Sequence, residues 1–178
     1  FQTFGARALY LDIETTGLSA REGQVTIVGL HRQGCMRTLI HGQNLTQEAI
    51  QEELDQADLL ITFFGTVFDI PYLQTCFHGL RVAIPHFDLC FAARRVGLQG
   101  GLKSIERELD IARESDLLQL DGLEAIRLWQ HYRAGHEAAL DQLVRYNAAD
   151  TQNLEPLAAC LYERLALRYG PQSLGLVG

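Results

Sequence analysis

The chain has 178 residues, 47% of them hydrophobic, and a formal net charge of -7. That length supports one domain with a core of useful size, and no apolar run is long enough to span a bilayer. The acidic balance argues against a broad polyanion-binding face, so any grip on nucleic acid must be local or supplied by a metal or another domain.

In chain order, Arg7 to Ile13 reads as a strand, followed by Gln24 to His31 and Met36 to His41, joined by a turn at Gln33-Gly34. Three short strands with tight connections predict an antiparallel meander. Asn44 can cap a helix running to about Gln56, with Gln47 three residues on in capping-box fashion. Asp58 to Phe64 contains the apolar run LLITFF, the pattern of a strand covered on both faces. A helix is predicted from Asp69 to His78, a short strand from Ala83 to Phe87, and helices at Leu89–Val96, Leu102–Leu109, Gly122–Arg133 and His136 to about Arg168. Residues 97–101 and 112–121 read as loops. The stretch from Gly170 onward reads as a tail or linker, which leaves 1–169 as the domain. Strands first, then mixed strand and helix, predict an α/β layer sandwich with a mixed sheet.

Two general expectations follow. No basic-then-apolar leader opens the sequence, and Cys35, Cys76, Cys90 and Cys160 form no CxxC pair. Together these predict buried thiols in a cytoplasmic protein with no membrane partner. The first residue is Phe1, which predicts a processed chain or a piece of a longer one carrying further domains.

The chemistry is carried by acids in places that acids avoid. In the stretch YLDIETTGL, Leu9, Leu11 and Ile13 share one strand face, and Tyr10, Asp12 and Glu14 share the other. Two carboxylates on a partly covered face repel each other and lose hydration, at a cost of several kcal/mol per ion unless a cation compensates. Carboxylate oxygens suit a hard divalent cation such as Mg²⁺. The competing reading is an edge strand with a wet polar face. The Thr-Thr-Gly that follows makes a turn that a ligand can approach closely. A third acid, Asp69 in ITFFGTVFDIPYL, falls where a helix begins after a buried strand. There it suits the helix dipole, and it also lies where open α/β sheets bind ligands.

The fourth acid is chosen by helical phase within HEAALDQLVRYNAADTQNLEPL. At ~100° per residue, Asp150 lies ~20° from Leu143 and ~40° from Leu154, so it faces inward. Asp141, nine residues earlier, points to the opposite side with Arg145 and reads as solvated. Tyr146 is one turn before Asp150 and shares its face.

LDIETTGL, ITFFGTVFDIPYL and YNAADTQNL together resemble the three motifs of the DEDD superfamily of 3′–5′ exonucleases, on the ribonuclease H-like fold. Tyr146 and Asp150 fit the YxxxD pattern of the DEDDy type, whereas His136 and Asp141 spell the rival HxxxxD. The linking segments HFDLCFAARRVGLQGGLKSIERELDIAR and DGLEAIRLWQHYRAG are similar to the YprB-like predicted exonucleases, from about Ala8 to Leu165. One departure stands out: such proteins carry Asn-Gly where this chain has Phe64-Gly65.

The resemblance implies a three-layer sandwich with a mixed five-stranded sheet flanked by helices. It also implies two Mg²⁺ or Mn²⁺ ions held by Asp12, Glu14, Asp69 and Asp150, acting on the ends of single-stranded DNA or RNA by a two-metal mechanism. Tyr146 would orient the attacking water. Thr15, Thr16 and Leu18 would meet the terminal nucleotide, and Phe64 and Lys103 would lie along the strand. Filling the site would bring the formal charge to about -3. Arg94 and Arg95 are further candidates for phosphate contact. Asp88 and His86 read as a helix cap and its neighbour, and Trp129 with Tyr132 reads as a core stripe. The alternatives are a ribonuclease H-like module that binds without cleaving, and a nuclease that cuts internally.

Overall fold

The computed structural model describes residues 5–170; 171–178, most of the expected tail, lie outside the described residues. The chain forms β1 (Ala8–Thr15), β2 (Val25–Arg32), β3 (Cys35–Ile40), α1 (Gln47–Asp55), β4 (Leu59–Thr62), α2 (Asp69–Cys76), β5 (His86–Asp88), α3 (Leu89–Arg95), α4 (Leu102–Glu108), α5 (Gly122–Arg133) and α6 (Glu137–Tyr169). The strands make one five-stranded sheet in the order β3-β2-β1-β4-β5. β1, β2 and β3 pair antiparallel, as the meander reading expects; β4 and β5 run parallel to β1.

The period-2 pattern of β1 decides the layers. Leu9, Leu11 and Ile13 pack with Ile50, Leu54, Leu73 and Leu80, under α1 and α2. Ala8 and Tyr10 face the other way, onto α3, α4 and α6 through Leu89, Ile105, Leu154 and Leu157. Ile27 of β2 joins α5 and α6 in a third cluster containing Trp129, with Tyr132 packed against it, so that stripe is core, as expected. Fully burying a Leu or Ile contributes about 1.5–3 kcal/mol, and the central strands β1, β2 and β4 bury such residues, whereas the edge strand β3 is largely uncovered. The result is an α/β three-layer sandwich. No described helix is long and apolar enough to cross a membrane.

The turn expected at Gln33-Gly34 is present, while several other expectations shift. Gln33 (φ 53°) and Gly34 (φ 76°) both take the left-handed region, the geometry of a two-residue hairpin turn. The cap of α1 is Thr46, whose hydroxyl accepts from Ala49 N, and not Asn44. Asn44 instead closes the turn after β3, accepting from Ile40 N at 2.7 Å and donating to Thr38 O. The fifth strand begins only at His86, because its ladder with β4 starts after Pro85, whose ring leaves no N–H to donate. The loop 112–121 holds a 3-10 turn, Ser115–Leu117, with Leu117 buried. Among the four thiols, Cys90 is buried but Cys35, opening the edge strand β3, is exposed.

Two close approaches position the site. Gly29 of β2 lies opposite Asp12, and a side chain there would collide with Thr151 and Asn147 of α6. Its absence lets α6 settle on the sheet beside the acids. Gly65 is likewise pressed against Thr62, whose hydroxyl accepts from Gly65 N.

Candidate metal centre

β1 outruns its parallel neighbour. Its ladder with β4 ends at Tyr10, whereas β1 continues to Thr15. The N–H of Ile13 therefore has no strand partner on that side, and Asp69, at the start of α2, supplies one: its Oδ1 accepts from Ile13 N at 3.2 Å. The crevice lies beyond the carboxyl ends of the parallel strands, where open α/β sheets bind ligands.

Asp12, Glu14 and Asp150 converge there. Their carboxylate oxygens lie within 4.8 Å of one another. Asp69, Glu14 and Asp150 are buried, and α6 delivers Asp150 and Tyr146 on the same inward face. Asp141 is exposed on the far side of α6, and His136 sits at the helix start, so the rival pair is not brought to this cluster. The four acids join Tyr146, Thr15, Leu18, Phe64 and others in lining a cavity of about 570 Å³. Thr15 donates to Gly17 O, and Leu18 is 84% exposed at the rim. Thr16 is not a lining residue; its hydroxyl accepts from Gln24 N within the β1–β2 loop. Lys103 lines an adjoining cavity with Tyr146 and Asp150, its Nζ 4.4 Å from the centroid of the Tyr146 ring.

The electrostatics follow from burial. Desolvation first, then repulsion from Asp150 and other acids, pushes Asp12 and Glu14 well above the usual carboxylate range. Burial likewise pushes Asp69 up to about 7, against the hydrogen bond from Ile13 N. Asp150 is raised by burial, but the Arg113 guanidinium and then Lys103 pull it back. Burial and the surrounding carboxylates hold the Tyr146 phenol far above its ordinary value, so it stays protonated. Burial lowers Lys103, and its Nζ is buried with no hydrogen-bond partner.

Sequence reasoning missed several of these groups. Arg113, whose side chain is 1% exposed, binds Glu106 through two bonds of 2.9 and 2.7 Å and lies 2.5 Å from Asp150 Oδ1. That last contact is an ion pair without hydrogen-bond alignment, and Asp150 Oδ1 is left buried without a hydrogen-bond donor. No signal marked Arg113, which stands in a loop without periodicity. Asn147 donates to Asp12 Oδ2 at 2.9 Å; the helical phase that selected Asp150 could have found it. Asp88 does more than cap α3. It accepts from Cys90 N, and also from Phe64 N and Thr66 N, each of the latter two at 2.9 Å. It thereby holds Phe64 at φ 67°, a conformation costing an aromatic residue on the order of 1–3 kcal/mol. His86 meets Thr62 Oγ1 at 2.9 Å, behind that loop.

The residues present fit a divalent ion. The donor set is all oxygen, three ligands reach one point, and Asp150 keeps an unsatisfied buried oxygen. Ionising all four acids requires more positive charge than Arg113, already shared with Glu106, and Lys103 can provide.

Residues 9–162 match the family model described as the RNase_H superfamily. Among solved structures, the family B DNA polymerase of the archaeon Pyrobaculum calidifontis superposes with a TM-score of 0.73 at 15% identity, over 95% of this chain and 26% of the polymerase. Brucella melitensis NrnC bound to pGG gives 0.64 at 24% identity, over 97% of this chain and 80% of that one. Escherichia coli RNase D, described as an exoribonuclease involved in structured RNA processing, gives 0.65 at 18% identity, over 95% and 42%. The chain thus spans about a quarter of the polymerase and under half of RNase D. No curated protein matches the sequence. The acids, the mixed sheet and the match across 9–162 agree, and the chain belongs to the ribonuclease H superfamily.

Proposed function

We propose that this chain is a metal-dependent 3′–5′ exonuclease of the DEDDy, YprB-like type, removing nucleotides from single-stranded nucleic acid. The observation that carries this reading is the convergence of Asp12, Glu14 and Asp150 within 4.8 Å at one end of an open cavity. Nuclease neighbours of the same fold support it: a Brucella melitensis NrnC structure is described with bound Mg²⁺, and another with pGG.

Asp12, Glu14 and Asp150 would hold a divalent ion, and Asp69 beside them would help hold a second. When bound, Mg²⁺ or Mn²⁺ supplies Lewis acidity to the scissile phosphate and acidifies a water. In this reading the water oxygen bonds to the terminal phosphorus, the P–O3′ bond breaks, and the departing 3′ oxygen takes a proton. Tyr146 stays protonated, so its hydroxyl orients the water and does not remove its proton. Leu18 meets the terminal base from the rim. Thr15 and the backbone of Thr16 shape the turn beneath it, and Lys103 faces the phosphate from the side of α4.

The test is a 5′-labelled oligonucleotide, DNA and RNA side by side, with Mg²⁺ or Mn²⁺. Stepwise shortening of the labelled strand from the 3′ end, one nucleotide at a time from the first time point, is the expected outcome. Asp150→Asn abolishes it and Asp141→Asn does not. Fragments cut from the middle of the strand would instead mark a nuclease that cleaves internally. Binding without hydrolysis would favour the silent module, a reading that the Arg113 ion pair on Asp150 and the Phe64 departure support.

A further inference from the structure

Phe64 and Phe91 are both more than a third exposed, and neither ring belongs to the three core clusters. Their centroids lie 6.2 Å apart, one on the loop after β4 and one on the first turn of α3. Arg94 sits over the outer ring, its guanidinium carbon 5.5 Å from the Phe91 centroid. Phe64 also lines the acid cavity, so this row of three side chains runs outward from the site itself.

The row is held in place. The Asp88 carboxylate joins the Phe64 loop to the start of α3, accepting from Phe64 N, Thr66 N and Cys90 N. Phe64 keeps a left-handed backbone that Asn or Gly would adopt with less strain. A strained aromatic residue that buries too little to serve the core suggests that its ring is used elsewhere. Flat apolar faces continuous with a phosphodiester-cleaving site suit the bases of a single strand, since every base has a π-face. Arg94 brings a cation where the acidic chain otherwise repels phosphate.

We propose that Phe64, Phe91 and Arg94 form a stacking shelf for the bases upstream of the 3′-terminal nucleotide. This rests on the nuclease reading above and assigns it a substrate requirement: a free single strand longer than two nucleotides. A duplex end keeps its bases stacked on each other and cannot lie along the shelf.

The experiment compares a hexathymidylate with a dithymidylate, as the ratio of their kcat/KM values, and measures hexathymidylate binding in Ca²⁺. Phe91→Ala is expected to lower the hexamer-to-dimer ratio about tenfold, the loss of one stacked base, and Phe91→Tyr to restore it. Arg94→Gln is expected to shrink the slope of log binding constant against log salt by about 0.7. Phe64→Asn relaxes the backbone, so its unfolding temperature rises while the ratio falls; a merely structural ring would give a fall in both. If the wild type cleaves both substrates and Phe91→Ala keeps the ratio within about twofold, below the loss of a stacked base, the shelf is wrong and the nuclease reading stands. If the wild type neither binds nor cleaves these oligonucleotides or the corresponding hexauridylate and diuridylate, both fall.

Discussion

Raising the pH without divalent ions should weaken the fold, and Asp69 sets the size of the effect. Its carboxyl is pushed from an ordinary 3.8 up to about 7 by burial. The folded chain therefore holds a proton that the unfolded chain has released. Asp69's contribution is fully present below about pH 4, declines from there, and is lost above about pH 7. Between about pH 5 and pH 8 the two values give a loss of about 2–3 kcal/mol from this residue, at 1.36 kcal/mol per unit. Asp12 and Glu14 are raised as well and add in the same direction. His86 works against them, since burial lowers its value and its share is lost as pH falls. Comparing wild type with Asp69→Asn cancels His86. Urea unfolding in chelator across this range should show the wild type losing about 2–3 kcal/mol more than Asp69→Asn. Millimolar Mg²⁺ should flatten the wild-type curve, because the ion supplies the missing positive charge. Identical curves for the two proteins, or metal-free wild type gaining stability relative to Asp69→Asn as pH rises, would refute the reasoning.

Arg113→Met leaves Glu106 and Asp150 buried without their cation and should cost about 3–5 kcal/mol in chelator. Titration calorimetry should then show tighter Mg²⁺ binding, since Asp150 no longer shares its charge with a guanidinium. Gly29→Ala forces a methyl group against Asn147 and Thr151, at a cost of about 1–3 kcal/mol by thermal unfolding. It should also weaken Mg²⁺ binding, because Asn147 is displaced from Asp12.

What the sequence revealed was whatever repeats with a period. Alternation along β1 put Asp12 and Glu14 opposite Leu11 and Ile13, and the core clusters have those apolar residues on the other face. Helical phase separated buried Asp150 from exposed Asp141 nine residues away. Capping was read less well. Asn44 and Thr46 are both good caps, and the choice between them turned on the Ile40 turn, a contact no local pattern encodes. Cys35 has apolar neighbours in sequence but opens an edge strand, and only the strand order shows that this edge is uncovered.

Arg113 and Glu106 were illegible for a deeper reason. A buried ion pair is recognisable from neither partner alone, because each looks like ordinary surface charge until the tertiary fold removes water from both. Once placed, the pair explains an asymmetry among the four acids. Asp150 has Arg113 and Lys103 to oppose its burial, and Glu14 has Lys103; Asp12 and Asp69 have neutral donors, Asn147 and the Ile13 amide. Neutral hydrogen bonds hold a carboxylate in place without cancelling its charge. The uncompensated charge therefore lies on the β1 side of the cavity, and a divalent ion settling among these oxygens relieves Asp12 and Glu14 more than Asp150. Arg113 partly offsets the charge of the fourth acid, an offset that Asp12 lacks.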